Sequence, residues 1–522
     1  MKILMICTEK LPVPAVLGGA IQTYISGALP YLSKHYDITV LGITDPSLPD
    51  KETISGVHYV RVPGQIFEVY REAVVRYVES NEFDLIHIFN RPRLVLPIRK
   101  AAPHSKITLS MHNDMFKREK IDPEEANEAL NEIAGIVTVS DYIGNVIREL
   151  YPQASSKIRT IYSGVDHNRF LPGSHPKMQS IRSQLRKDHG LENKTVILFA
   201  GRLSPNKGVD KLVRALPELS NKFKDLALVI VGSKWFSQED TTDFIAYVRA
   251  LSKKLPVPVV ATGFVSPDQI QNWFAAADIF VCTSIWQEPL ARVHYEAMAA
   301  GLPIITTARG GNPEVIQPGE NGLVVENAED PAAFTEKIST ILSNKPLMKQ
   351  MGEKGRQLAI KEYNWERVAT DILEVWKAAM NWSTEALSDE EALETVEDLN
   401  IEDSIPETAV IVNDELNPKT VTNKKKKQEN KKSRVQNEKQ NTDSVTRAVD
   451  LTVDPVVENT ISISKSEGRL LKGSDPVSQK DRFRESLRDM LRQSIRNSLM
   501  SSFPETATMA ETFRESRRKL RK

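Results

Sequence analysis

Thirteen short apolar runs recur between Ile3 and Val325, each bounded by turn residues and most followed by a stretch with helical spacing. Runs of three to six Val-, Ile- and Leu-rich residues suit strands buried on both faces, and parallel strands need a crossover, usually helical, between them. The alternation therefore predicts an α/β fold with parallel sheets. The runs fall into two sets. The first is Ile3–Cys7, Ile38–Ile43, Val57–Val62, Leu85–Phe89, Ile107–Met111, Ile136–Val139 and Ile158–Tyr162. The second is Val196–Ala200, Leu228–Val231, Val259–Gly263, Ile279–Thr283, Ile304–Thr306 and Leu323–Val325, reached through a linker near Leu171–Lys177. Two Rossmann-like halves, residues 1–172 and 190–360, are the economical reading, with a closing helix over 361–382. Ligands of such sheets bind beyond the carboxyl ends of the strands, so a site is expected in the cleft between the halves.

From Ser383 the pattern stops. No aromatic residue occurs between Ser383 and Arg482, so little can be buried there, and residues 383–478 are expected to form a disordered, charged linker. Within it Glu385–Leu416 carries twelve acids and no Lys or Arg, whereas Lys419–Arg434 carries eight bases and one acid. Such runs read either as a solvated, self-neutralising linker or as a partner-binding segment. Helical spacing returns over 479–522, with Phe483, Leu487, Met490, Leu491, Ile495 and Leu499 on one face and Arg484, Arg488, Arg492 and Arg496 on another. A basic amphipathic helix suits a membrane surface, an acidic partner or self-association, and the spacing leaves these open.

Charge over the whole chain balances, 69 basic against 69 acidic residues, which implies no general attraction to nucleic acid. The two cysteines, Cys7 and Cys282, both sit inside apolar runs and read as buried thiols of a reducing compartment. The opening MKILMICTEKLP has too short an apolar stretch for a signal peptide and reads as a first strand. No segment approaches the ~20 apolar residues of a membrane span. A soluble protein made in the cytoplasm is expected.

Several residues carry candidate chemistry. Gly18 and Gly19 follow the first strand and precede a helix expected near Ala20, where backbone amides can approach an anion. His112 closes the run ITLSMH and would face the cleft; Ser140 reads as a helix N-cap. Arg202 and Lys207 lie in AGRLSPNKG, a glycine-bounded loop between strand and helix, and offer a guanidinium and an ammonium to a departing diphosphate. Glu288 and Glu296, spaced E-x7-E, are expected to bracket one helix started by Pro289 and ended by Gly301. Eight residues advance such a helix by about 12 Å, so both carboxylates could look into one cleft and accept from hydroxyls at the two ends of a nucleotide-sugar. Pro289, Leu290 and Ala291 would present the helix-start backbone to the same ligand.

GRLSPNKG, EPLARVHYE followed by MAAGLP, the Gly18-Gly19 loop and the Asn321–Val324 element together resemble the retaining glycosyltransferases of family 4, which have the GT-B fold. The resemblance covers about residues 1–380. EKLPVP, NRP, VSDYIG, GSKWF and SIWQEPLARVHYEAMAAGLPI are similar more narrowly to spore-coat members of that family. It implies that Gly19 sits against the donor phosphate and His112 near the 6-position of the transferred sugar. It also implies Arg202 and Lys207 on the leaving diphosphate, Glu288 on the sugar's 3- and 4-hydroxyls, and Glu296 on the ribose. Many members have EGFG where this chain has EPLA, so Pro289 and Ala291 stand at glycine positions. No metal or other cofactor is implied. The expected substrates are a nucleotide-diphosphate sugar and a glycan or protein acceptor. The resemblance implies location in the spore coat; the charged tail lies beyond the part it covers, and in the partner-binding reading that tail would bind other coat proteins. A non-catalytic coat scaffold and a sugar-nucleotide epimerase are the alternative readings.

Overall fold

The computed structural model describes residues 1–234 and 241–382. The linker and the basic amphipathic segment expected beyond Ser383 lie outside the described residues, as do residues 235–240. What is described has two α/β lobes, each a sheet with helices on both faces.

The first sheet contains β1 (Lys2–Ile6), β2 (Asp37–Ile43), β3 (Lys51–Ile54), β4 (Val57–Val62), β5 (Leu85–Phe89), β6 (Lys106–Met111), β7 (Gly135–Thr138) and β8 (Ile158–Thr160). Its order is β3-β4-β2-β1-β5-β6-β7-β8, parallel except for β3. Alternate residues feed opposite cores: Leu4, Ile6, Leu41, Ile86 and Ile88 one face, Ile3, Met5, Cys7, Val40 and Leu85 the other. Strand β3 was not expected. It is a polar, mostly exposed edge hairpin, joined to β4 by Ser55 and Gly56, both at positive φ, the conformation of a two-residue primed turn.

The second sheet contains β9 (Thr195–Ala200), β10 (Leu226–Val231), β11 (Val259–Gly263), β12 (Ile279–Val281), β13 (Ile304–Thr307) and β14 (Gly322–Val325). All neighbours are parallel, in the order β11-β10-β9-β12-β13-β14, the doubly wound arrangement that reverses between β9 and β12. Its two cores divide as in the first sheet, with Val196, Leu198 and Val229 on one side and Ile197, Phe199 and Leu228 on the other.

The last described helix, Trp365–Asn381, returns from the second lobe to pack on the first. Trp365, Val368, Ile372 and Trp376 enter the core beneath β1 and β2 beside Tyr24, Ile25 and Ala28 of helix Ala20–Leu32. The Trp376 indole donates to buried His87 on β5 at 3.2 Å. Lys361 ends the preceding helix and residues 362–364 form the connecting turn, so the closing helix starts at Trp365.

Candidate functional site

Reversal of strand order opens a crevice where adjacent loops diverge to opposite faces of a sheet. In the second lobe these are the loop after β9, which carries Arg202 and Lys207, and the loop after β12, which carries Glu288. A short turn, Pro205–Lys207, ends at Gly208, whose φ of 62° starts helix Val209–Lys222. A Cβ at Gly208 would lie 2.3 Å from the Thr283 carbonyl oxygen, so only glycine lets the two loops close on each other. They are stitched there by Thr283 Oγ1 donating to the Lys207 carbonyl at 2.6 Å and by the Ile285 amide donating to Asn206 at 3.0 Å.

This stitching brings Lys207 to Glu288. Lys207 Nζ donates to Glu288 Oε2 at 2.5 Å, Trp286 Nε1 to the same oxygen at 2.7 Å and Ser284 Oγ at 2.9 Å. Burial pushes the Glu288 pKa up, but Lys207 and the two neutral donors outweigh it and hold the group below the usual carboxylate value. The carboxylate is therefore ionised at neutral pH. Among the described residues its hydrogen bonds fall on Oε2, which leaves Oε1 to accept from a ligand hydroxyl.

One expectation is corrected here. Pro289 does not start a helix: residues 288–291 are loop, and the helix runs Val293–Ala299, with Gly301 at φ 69° just past its end. Glu288 and Glu296 thus do not share a helix, and the 12 Å rise of eight helical residues does not apply between them. Pro289 lacks an amide hydrogen, and the Ala291 amide is already taken by Asn312 Oδ1 at 3.1 Å. Ala291 is buried in the apolar core with ordinary negative φ, so the residue at this family-glycine position brings no backbone strain. Leu290 is partly buried beside it.

Glu296 lies on the short helix, 3.7 Å from Arg292. Burial raises its pKa, and Arg292 and Arg169 only partly offset that. Arg292 Nη1 donates to Ser163 Oγ at 2.8 Å and to the Gly164 carbonyl at 3.3 Å, where the chain passes between lobes.

In the first lobe Gly18 and Gly19 have φ of 84° and 105°, and Gly19 caps helix Ala20–Leu32. A Cβ at Gly19 would come within 2.3 Å of Gln22 Oε1. His112 follows β6 and is buried, its amide donating to Asn90 Oδ1 at 3.0 Å and its Nε2 lying 3.2 Å from Ser110 Oγ. Burial, then the charges of His87 and of Arg292 from the other lobe, push its pKa down to about 3, so the ring is neutral. Ser140 is the N-cap of helix Asp141–Leu150, accepting from the Ile143 amide at 3.2 Å.

Trp286, Ser284 and Asn90 were not picked out as site residues, although all three lie in quoted motifs. A tryptophan two residues before a glutamate has no periodic signature; only the folded loop turns its N–H back. A concavity of about 230 Å3 in the first lobe is lined by Glu9, Phe67, Arg91, Arg93, Met115 and Lys120, beyond the carboxyl ends of β1, β5 and β6. A larger one, about 720 Å3, opens at the amino ends of β9, β10 and β13, on the far side of the sheet from Lys207 and Glu288. Among the described residues no group of three or more His, Cys, Asp or Glu is placed to hold a metal, and no helix is long and apolar enough to cross a membrane.

Comparison with known proteins agrees with this geometry. Residues 21–169 match the family "Glycosyltransferase Family 4", and residues 181–358 match "Glycosyl transferases group 1". The chain is 43% identical to spore coat protein SA of Bacillus subtilis, across 72% of this chain and 99% of that protein. It is 26% identical to lipopolysaccharide 1,2-N-acetylglucosaminetransferase of Salmonella typhimurium, across 73% and 98%. The crystal structure of Anabaena HepE with UDP-glucose has the same fold, with a TM-score of 0.56 and 21% identity, across 72% of this chain and all of that one. The chain belongs to the family 4 glycosyltransferases, with the GT-B fold.

Proposed function

We propose that this glycosyltransferase moves a sugar from a nucleotide-diphosphate donor to an acceptor with retention at the anomeric carbon. The observation that carries the reading is the meeting of Lys207 and ionised Glu288 at the strand reversal of the second sheet. Arg202 and Lys207 meet the charge that builds on the departing diphosphate, a fixed field that needs no reorganisation during reaction. Glu288 accepts through Oε1 from hydroxyls of the transferred sugar, and Glu296 from the ribose. Gly18 and Gly19 let the first-lobe backbone come close to the donor phosphate. Neutral His112 offers one ring nitrogen to the sugar. Leu290 and its neighbours Pro289 and Ala291 shape the wall behind Glu288.

The acceptor, a glycan or a protein, enters the first-lobe concavity beside Arg91 and Phe67. Likeness to spore coat protein SA supports a role in coat or surface glycan formation, with the segment after Ser383 reaching other coat components. Incubating the protein with UDP-glucose, UDP-N-acetylglucosamine and GDP-mannose, following thermal stabilisation and product anomeric configuration by NMR, tests the reading. Stabilisation by one donor with an α-linked product from an α-donor is expected. An inverted product, or no response to any donor, would overturn it.

A further inference from the structure

The turn after β13 does more than support the donor loop. At one end the Gly311 amide donates to the Glu288 carbonyl at 2.8 Å, the Gly310 amide to Gln287 Oε1 at 2.6 Å, and Asn312 Oδ1 accepts from Ala291. Three residues of the donor loop are thus gripped by one turn. At the other end, Glu314 on the short turn Asn312–Val315 leaves its own lobe. Its Oε1 accepts from the Tyr142 amide at 2.7 Å and its Oε2 from the Asp141 amide at 2.8 Å. Tyr162 Oη, from the segment that passes between lobes, adds a bond to Oε2 at 3.0 Å. Asp141 and Tyr142 open helix Asp141–Leu150 of the first lobe, where amides lack helical partners and the helix dipole favours an anion. Ser140 takes the next amide, so of the first three helical amides two are satisfied by the opposite lobe and one by the helix's own cap.

We propose that Glu314 is a positioning residue for glycosyl transfer: its carboxylate clamps the donor loop's supporting turn onto the first-lobe helix and fixes the orientation in which the two halves of the cleft meet. Bidentate geometry matters, because one oxygen could swivel about a single bond whereas two parallel bonds define a direction. Most of the donor contacts proposed above, those of Arg202, Lys207, Glu288 and Glu296, lie within the second lobe and do not need this contact. Transfer does, since the acceptor concavity, Gly18, Gly19 and His112 belong to the first lobe and a misplacement of about 1 Å can cost roughly 10²-fold in rate.

The kinetic part rests on the transfer reading above; the shape of the molecule does not. In the full chain, Glu314→Ala is expected to lower kcat by roughly 10²-fold while calorimetric donor affinity stays within a few-fold of the parent. Inter-lobe distances from fluorophore pairs should broaden in the same variant. Asp141→Pro offers an independent route. Proline is tolerated at the first helical position, and Ser140 already has the extended backbone that precedes proline, so the variant removes one clamping N–H without touching Glu314. It should reproduce part of the broadening, and Asp141→Ala, which keeps the amide, should not. Parental kcat and distances in folded Glu314→Ala would overturn the proposal. So would donor affinity falling in step with kcat at unchanged distances, which would make Glu314 a local support. If no donor is turned over by the parent, broadened distances alone still establish the clamp and the failure belongs to the transfer reading.

Discussion

Lys207 and Glu288 lie 81 residues apart, yet Lys207 Nζ donates to Glu288 Oε2 at 2.5 Å, and that bond spans the two loops at the strand reversal of the second sheet. Cutting it leaves a buried carboxylate without its cation. Lys207→Ala is expected to lower turnover on the order of 10²-fold, as loss of a preorganised charge does. It should also cost up to about 3–5 kcal/mol of stability, the range for a broken buried pair, moderated by Ser284 and Trp286, which still donate. Lys207→Ala/Glu288→Gln should regain stability in urea unfolding but no activity. Ordinary turnover by folded Arg202→Ala/Lys207→Ala would remove the diphosphate role from both.

Acid acts on Glu288 and on the buried histidines of the first lobe at different pH. Glu288 has a folded pKa below its ordinary 4.5, so its stabilisation is present above that value and lost only as pH falls through the lower one. Buried His87 and His112 act earlier. Both fall from 6.5 to about 3, so between those values the unfolded chain binds protons that the folded chain refuses. Stability should therefore decline on acidification from near pH 6.5, by up to about 1.4 kcal/mol per pH unit for each histidine. Unfolding free energies at pH 7 and 5 check this; His112→Gln should flatten the slope by about one proton, and an unchanged slope would deny its burial as neutral imidazole.

Gly208→Ala should be damaging out of proportion to its size. Its φ of 62° disfavours any Cβ, and that atom would meet the Thr283 carbonyl oxygen at 2.3 Å. The conformational cost alone is about 1–3 kcal/mol, and relief of the clash would part the two loops. A lower melting temperature with reduced donor affinity is expected; a variant that melts and binds like the parent would mean the loops do not depend on that approach.

Deleting residues 383–522 should leave melting and donor binding unchanged, because among the described residues the first-lobe core is completed by helix Trp365–Asn381. Within that helix Trp376→Ala should cost about 3–5 kcal/mol, as for other buried aromatic truncations. Loss of donor binding on tail deletion would place part of the site beyond Ser383.

Strands were readable because each is a compact apolar run and most are buried on both faces, and ten of the thirteen runs before and after the linker needed end adjustments of only one or two residues. Val57–Val62, Leu85–Phe89 and Val259–Gly263 matched at both ends. Lys51–Ile54 escaped because an exposed edge strand needs no apolar alternation. Glycine, basic and acidic site residues were legible as types in loops. Their partners were not, since Ser284, Trp286 and Lys207 meet on one oxygen only after two strands 79 or more residues apart are laid side by side. The helix assigned from Pro289 failed for a related reason. Proline marks a permitted start, but Asn312 takes the Ala291 amide and the Gly310–Gly311 turn holds residues 287 and 288, and these tertiary bonds keep residues 288–291 in a loop, the helix beginning only at Val293.

Helix Trp365–Asn381 gives the molecule an order of assembly. The first lobe is made first, yet the face under β1 and β2 lacks Ile372, Trp376 and Ala379 until some two hundred further residues have been synthesised. A growing chain therefore carries an uncovered greasy surface through the whole translation of the second lobe. The ribosome-bound nascent chain, rather than the finished enzyme, is the stage at which this architecture is exposed to aggregation and has most need of a chaperone.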